Sequence, residues 1–325
     1  MPVFKIHHIT KYEYTRTVKE SNNAIIIYPF NNEEQELLMH EIDITDNPDV
    51  FTYNDYWGNK VGLFNILALH KVLVIDSKLT IRTIKRLTEP NSVLTTTDAL
   101  KDFIDNNLQL LELSKPDKIV SQERIDEIIK AIESTAGNIV STIVEECCKY
   151  IFKHFKYIKG ITTIETTVDE ILEFQSGVCQ DFAHLMLQIL RSMNIPSRYV
   201  SGYICPNKDG MRGEGATHAW VEAYIPDYGW AGIDPTNNVW ATDKHIKLAV
   251  GKNFTDCTPV TGSFKGLTKQ TLSVYVSVGY EDGHVFEDVN NVQMTLASSK
   301  KKDGDPEIPE YQEEEHHHQQ QQQQQ

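Results

Sequence analysis

Apolar and polar residues alternate with a period of two through much of the first 90 residues, which is typical of β-strands. An apolar stretch at residues 24–28 ends at Pro29, and the turn signal of residues 55–59 precedes a long, partly β-branched run. One face of the first predicted strand carries residues spaced two apart, namely Phe4, Ile6, His8, Thr10, Tyr12 and Tyr14. The pattern predicts an all-β N-terminal domain of antiparallel strands over residues 1–95.

Between residues 97 and 157 the apolar positions recur at helical spacing, and Pro116 and Gly137 separate three predicted helices. The third helix carries two adjacent cysteines, which we interpret as small apolar packing residues. Farther along, helical and strand patterns alternate, from a capping-box pattern at residues 167–170 to strand alternation at residues 272–296. A helical segment followed by an α+β core is therefore predicted over residues 96–299.

The amino-acid composition and net charge of the chain exclude some classes of function. Of the 325 residues, 40% are hydrophobic and 24% are charged, so the chain can form a substantial core. The net charge of −15 would repel a polyphosphate, so we expect no nucleic-acid partner. No apolar run approaches the roughly 18 residues of a membrane helix, so no membrane partner is expected either.

Cysteine usage and the first residues of the chain favour a reduced, cytoplasmic protein. The five cysteines form no even framework and no C-x-x-C pair, so neither disulfides nor structural zinc is expected, and no cofactor is indicated. Residues 300–325 hold three lysines, seven acidic residues, three histidines and a run of seven glutamines, which predicts a disordered tail. The sequence does not indicate an oligomeric state.

The strongest chemical signal is Cys179, which comes just before apolar residues at helical spacing. Gly177 allows a tight turn, so Cys179 is predicted to lie in the first turn of an amphipathic helix that ends before Pro196. Free backbone N–H groups and the helix dipole favour a thiolate at such a position, and the thiolate is the nucleophile. A buried structural cysteine is the ordinary alternative.

A predicted β-hairpin supplies two further candidates. Residues 217–225 alternate, with small apolar side chains on one face and His218, the usual type of general base, first on the other. After a turn, the next strand ends at Asp234, because Pro235 cannot donate to a ladder. His218 and Asp234 are each eight residues from Pro226, which predicts that they lie roughly opposite each other, within carboxylate–imidazole reach. A hydrogen-bonded core histidine and a turn-forming aspartate are the alternatives for each residue alone.

Together, Cys179, His218 and Asp234 have the residue types of a nucleophile, a general base and an orienting carboxylate in a thiol acyl-transfer site. The same three residue types are also metal ligands. A structural zinc would need four ligands and a tighter cysteine spacing, whereas a three-ligand catalytic zinc site stays open on residue type alone.

The sequence resembles the transglutaminase-like superfamily in four contiguous motifs: GVCQDFAH at 177–184, RYVSGY at 198–203, THAWVE at 217–222 and GIDPTN at 232–237. It is most similar to a bacterial branch of cysteine peptidases, whose N-terminal β domain resembles HITKYEY at 8–14 and DYWGN at 55–59. The resemblance implies a papain-like α+β core in which a catalytic helix packs on an antiparallel sheet. It also implies Cys179 as nucleophile, His218 as base and Asp234 as orienter.

Several residues near Cys179, His218 and Asp234 are candidates for supporting roles. The backbone N–H of Cys179 is a candidate oxyanion donor, since it points from a helix start. Asp181 and His184 are expected either to support the catalytic residues through contacts around them or to satisfy buried backbone groups, and Arg198 is expected to form a structural ion pair. The side chains weighed as the second oxyanion donor, or else as core packing residues, are Gln180, Tyr203 and Trp220.

We expect a thiol-dependent enzyme, a cysteine protease or amidase, that hydrolyses a peptide or amide substrate through a thioester. Water as the acceptor gives hydrolysis, whereas an amine acceptor would give transglutaminase-type cross-linking, which is the first alternative. A non-catalytic binding module on the same fold is the second. The animal transglutaminases of the superfamily need calcium, but no loop in this sequence has the closely spaced acidic ligands of a dedicated site.

Overall fold

The computed structural model describes residues 1–205, 211–212 and 217–281, and the backbone of two further strands at residues 292–296 and 316–320. Five strands come first: β1 (Val3–Ile25), β2 (Gln35–Ile44), β3 (Phe51–Asn54), β4 (Lys60–Ile66) and β5 (His70–Thr83). Six helices and two very short strands follow: α1 (Thr97–Asp105), α2 (Leu108–Leu113), α3 (Gln122–Ala136), α4 (Val140–His154), β6 (Lys156–Tyr157), α5 (Val168–Phe174), β7 (Ser176–Gly177) and α6 (Cys179–Ser192). The elements after α6 are strands, with one short 3₁₀ helix (Phe254–Cys257) between the fifth and the sixth of them: β8 (Ser197–Ile204), β9 (Thr217–Ile225), β10 (Gly229–Asp234), β11 (Val239–Trp240), β12 (His245–Gly251), β13 (Val260–Lys265), β14 (Gln270–Tyr280), β15 (Val292–Leu296) and β16 (His316–Gln320).

The long strand β1 is the centre of a nine-stranded sheet. Its first half lies between β5 and β14, and its second half lies between β4 and β13, always in antiparallel register. Register shifts separate the two halves, and Glu20 between them adopts a left-handed conformation (φ 50°), as in a strand that bends at a bulge. The residues predicted to share one face of β1, from Phe4 to Tyr14, are all buried, which confirms the period-two interpretation.

Strands from both ends of the chain build this sheet. The predicted division places residues 260–280 with the core, whereas β13 and β14 hydrogen-bond to the N-terminal strand β1. The division of the chain into independent units at residues 95 and 299 therefore stays a prediction. Within the predicted disordered tail, residues 300–315 and 321–325 lie outside the described residues, and β16 pairs with β13.

The helical segment follows its sequence pattern closely. The first predicted helix is divided into α1 and α2, because the side chain of Asn107 accepts a hydrogen bond from the N–H of Leu110 (3.1 Å) and begins a new helix. The capping box is confirmed at α5: Thr167 Oγ1 accepts from the N–H of Glu170, whose carboxylate accepts from the N–H of Thr167. None of the helices in the described part of the chain is long and apolar enough to cross a bilayer.

The second sheet has five antiparallel strands in the order β11-β10-β9-β8-β12. The small apolar residues of β9 share a buried core with α6 and the other helices, as alternation predicted: Ala219, Val221, Ala223 and Ile225. At the other edge, β8 and β12 contribute Tyr203, Ile246 and Leu248 to the core of the β1 sheet. The fold is thus the predicted α+β class, a helix packed on an antiparallel sheet and preceded by a β-rich region.

Candidate active site

Cys179 is the first residue of α6, as predicted, and it is 3% exposed. The chain enters the helix through a tight turn, since a Cβ on Gly177 would lie 2.6 Å from the side chain of Asp181. Asp181 accepts hydrogen bonds from the backbone N–H of Val178 (2.7 Å) and from the hydroxyl of Thr162 (2.7 Å). These bonds fix the first turn of α6 and therefore the position of the thiol.

His218 at the start of β9 and Asp234 at the end of β10 form a fully buried pair, with Nε2 of the ring 2.8 Å from Oδ2 of the carboxylate. Because a carboxylate only accepts, Nε2 is the donor. Among the described residues, Nδ1 of His218 has no oxygen or nitrogen partner. Burial would lower the pKa of His218, but the charges of Asp234 and Cys179, with hydrogen bonds to both, raise it to about 10. The three predicted residues are thus brought together.

The predicted proximity of His218 and Asp234 is confirmed, but the register differs from simple opposition. Ile233 pairs with Val221, so the residue opposite Asp234 is Trp220, and His218 lies two residues nearer the start of β9. The turn is centred on the residue after Pro226, which shifts the pairing. The hydrogen bond still forms because residues two apart on one strand share a face and diagonal neighbours lie within reach of long side chains.

Within the described part of the chain, five donors hold the Asp234 carboxylate. Oδ1 accepts from the backbone N–H groups of Thr236 (2.9 Å) and Asn237 (3.3 Å). Oδ2 accepts from His218, from the Asn237 side-chain amide (2.7 Å) and from Nε2 of His245 (3.4 Å). Burial would raise the pKa of Asp234, but its interactions with His218 and His245 hold that pKa well below the usual range. The carboxylate is therefore ionised although it is fully buried.

Three residues near Cys179, His218 and Asp234 were not predicted from the sequence to take part in the site: Asn237, His245 and Tyr157. Asn237 stands in the GIDPTN motif, so the motif itself could have indicated it. Tyr157 pairs with Gly177 at the β6–β7 bridge, and burial and then the charges of Cys179 and Asp234 raise its pKa. Neither Tyr157 nor His245 has a local sequence signal, because each belongs to a strand other than those that carry His218 and Asp234.

Tyr203 and Trp220 were candidates for the second oxyanion donor, but their contacts favour a role in core packing. The hydroxyl of Tyr203 is 2.7 Å from Nδ1 of His8, and Trp220 packs with Val200 and Val250. Gln180 is buried in the first turn of α6. The identity of the second oxyanion donor stays a prediction.

The predicted structural roles of the polar residues are confirmed. Nε2 of His184 accepts the backbone N–H of Phe254 (3.3 Å). Arg198 donates through Nε to the buried Glu222 carboxylate (2.7 Å), which also pairs with Lys247. Among the described residues, no group of three or more His, Cys, Asp and Glu side chains is arranged to hold a metal ion.

Comparison with solved structures identifies the fold class. The crystal structure of a "putative cysteine protease" from Cytophaga hutchinsonii matches with a TM-score of 0.69, covering 90% of this chain and 96% of that one. Sequence identity over the match is 21%, so the likeness concerns the fold. The fold is that of the papain-like, transglutaminase-like proteins, with the N-terminal β region included.

Sequence comparison then identifies the family. The family model of the transglutaminase-like superfamily matches residues 126–235, and that of the bacterial transglutaminase-like N-terminal region matches residues 4–82. An uncharacterised protein of Mycobacterium leprae is 31% identical over 294 residues, 84% of this chain and 97% of that protein. The protein-glutamine gamma-glutamyltransferase of Pseudomonas aeruginosa is 36% identical over 97 residues, 27% of this chain and 14% of that enzyme. The chain belongs to the transglutaminase-like superfamily, which confirms the resemblance found in the motifs.

Proposed function

We propose that this protein is a cysteine protease or amidase that hydrolyses peptide or amide bonds through a thioester at Cys179. The observation that carries the proposal is the buried 2.8 Å bond between Nε2 of His218 and Asp234, which leaves Nδ1 to serve the thiol that begins α6. The influence of Cys179 on the pKa of His218 supports the same pairing. A nucleophile, a base and an orienting carboxylate are the parts of an acyl-transfer site.

In the first half of the reaction, the proton of the Cys179 thiol passes to Nδ1 of His218, a transfer that the raised pKa of the ring favours, and the resulting thiolate attacks the carbonyl carbon of the amide. The carbonyl oxygen becomes negative near the start of α6, where the positive end of the helix dipole and the N–H groups of the first helical turn stabilise it. His218 then gives its proton to the leaving amine, the C–N bond breaks, and an acyl thioester remains on Cys179. General base and acid catalysis of this kind contributes typically about 10²–10⁴-fold.

In the second half, a water molecule attacks the thioester carbonyl while His218 takes one of its protons. The C–S bond breaks, the carboxylic acid leaves, and His218 returns the proton to the sulfur. Asp234 keeps the ring in one tautomer throughout, since its carboxylate accepts from Nε2.

Amine cross-linking is a second candidate, and the relative from Pseudomonas aeruginosa that bears the name protein-glutamine gamma-glutamyltransferase favours it. Both candidates share the thioester and differ only in the acceptor. A free primary amine added to the assay separates them, because a transamidating enzyme converts the acyl group into a new amide instead of an acid.

The test uses 4-nitrophenyl acetate as a general acyl donor and peptide and amide libraries followed by mass spectrometry. The wild type is expected to release nitrophenolate with an initial burst, and Cys179→Ala to lose it. Cys257→Ala is the matched control, because Cys257 is an equally buried thiol that contacts Tyr199 rather than the triad. Unchanged turnover by Cys179→Ala would remove the proposal.

A further inference from the structure

His245 contacts the same carboxylate oxygen that orients the proposed base. Nε2 of His245 lies 3.4 Å from Oδ2 of Asp234, and Nε2 of His218 lies 2.8 Å from that atom. The side chain of His245 is 1% exposed. We propose that His245 is a positioning residue of the proposed reaction, which fixes the Asp234 carboxylate so that His218 presents Nδ1 to Cys179. This inference rests on the proposed function.

The fold sets the tautomer of His245. The backbone N–H of Thr242 donates to Nδ1 of the ring (3.1 Å), so Nδ1 is the acceptor nitrogen. The proton of a neutral ring is then on Nε2, which points at the carboxylate. The backbone N–H of His245 in turn donates to the carbonyl oxygen of Thr242 (3.0 Å), which closes a short turn around the ring. His245 is thus a donor whose direction is fixed before any substrate binds.

His245 differs from the other donors to Asp234 in where it comes from. Thr236 and Asn237 belong to the turn that follows Asp234, so their bonds hold the carboxylate only relative to its own segment. His245 begins β12, which lies two strands from β9 in the sheet. Its bond therefore anchors the carboxylate to a different part of the sheet.

An aromatic side chain forms a second connection between the two histidines. The ring of Trp220 is stacked beside His218 (6.4 Å between centroids, 25° between planes) and meets His245 edge to face (5.2 Å, 73°). A displacement of His245 would therefore disturb His218 through Trp220 as well as through Asp234. Because misplacing a reacting group by about 1 Å can cost about 100-fold in rate, a small rotation of the carboxylate is enough to affect turnover.

The test compares two substitutions in the full-length protein with 4-nitrophenyl acetate as the probe. His245→Phe keeps an aromatic ring against Trp220 but removes the donor, and we expect kcat to fall about tenfold with little change in KM. His245→Gln keeps an N–H donor at similar reach, and we expect it to restore kcat to within about threefold of the wild type. Rescue by glutamine is a result that a purely space-filling role would not give.

His8→Phe is the matched control. His8 is an equally buried imidazole, hydrogen-bonded to Tyr203 and edge to face with its ring (5.8 Å, 85°), but it belongs to the β1 sheet. We expect His8→Phe to lower the melting temperature as His245→Phe does and to leave kcat unchanged. If His245→Phe does not fold, the pair His245→Gln and His245→Met gives the same comparison with and without a donor.

Three outcomes would overturn the positioning role: wild-type kcat in His245→Phe, equal losses in the phenylalanine and glutamine variants, or an equal loss in His8→Phe. Failure of the proposed function has a different signature, because Cys179→Ala would then keep its activity. An inactive Cys179→Ala with a fully active His245→Phe would refute the role of His245 alone.

Discussion

His8 on β1 and Tyr203 on β8, 195 residues apart, are joined by a 2.7 Å hydrogen bond between Nδ1 and the phenolic oxygen. Both side chains are buried, and the bond connects the N-terminal sheet to the sheet that carries His218. Burial, and then the neighbouring His7, lower the pKa of His8 to about 4, so the ring is neutral at pH 7. The two sheets are thus connected by a polar contact between two core residues.

Replacing Tyr203 by phenylalanine removes this bond and leaves a ring nitrogen of His8 with one partner fewer in the core. We expect Tyr203→Phe to lower the free energy of unfolding by about 0.5–1.5 kcal/mol, the usual net contribution of one hydrogen bond. Urea denaturation measures the change. Tyr53→Phe is the control, since Tyr53 is exposed; an equally small loss in both variants would show that the bond contributes nothing.

The free energy of unfolding is expected to fall as the pH is lowered from about 6.5 to about 4. Burial lowers the pKa of both His8 and His184 to about 4, while a histidine in the unfolded chain titrates near 6.5. Between these values the unfolded state binds more protons, so the free energy of unfolding rises with pH from about 4 to 6.5. Urea denaturation at several pH values measures this slope. His8→Phe should flatten it, whereas substitution of the exposed His154 should not; equal slopes in both variants would contradict the assignment.

The buried Glu222 carboxylate neutralises two cations. Burial would raise its pKa, but Arg198 and Lys247 lower that pKa to about 2. Glu222→Gln removes the carboxylate that Arg198 contacts and leaves Lys247 with Glu34 (3.5 Å). Removal of one member of such a buried group costs about 3–5 kcal/mol of stability. Chemical denaturation checks the value. The exposed pair Arg82–Glu36 supplies the control, since Glu36→Gln should cost less than about 1 kcal/mol.

Asp234→Asn tests the orienting role directly. The substitution removes the negative charge and places an amide among five donors, so His218 loses the partner that fixes its tautomer. We expect kcat with 4-nitrophenyl acetate to fall by about 10²–10⁴-fold. The matched control is Asp227→Asn, in the exposed turn of the same hairpin, which should leave kcat unchanged. Comparable activity in both variants would argue against an orienting carboxylate.

Local sequence features predicted the elements that carry the candidate site. The helix start at Cys179, the alternation in β9 and the strand end at Asp234 each depend on a few neighbouring residues, and each is present. The two-residue shift between His218 and Asp234 depends on where the hairpin turn is centred, which alternation alone does not specify. The proximity of His218 and Asp234 was therefore predicted correctly, although the predicted register was two residues off.

Contacts between separate elements could not be predicted from the sequence pattern. His245 meets Asp234 only because the segment before β12 brings its ring to Trp220 and the carboxylate, and no periodicity encodes such a crossing. The return of β13 and β14 to β1 is of the same kind, since their alternation predicts strands but not partners. Long-range pairing is decided by the packing of whole sheets.

The position of β1 between early and late strands has a consequence for synthesis. Residues 4–14 pair with β5 on one side, but their other neighbour, β14, is made only after the entire core. During translation the nascent N-terminal sheet therefore leaves the ribosome with one edge of its longest strand open, and such edges recruit other chains. Closure must wait for a distant segment, so this region is expected to fold slowly and to benefit most from a chaperone.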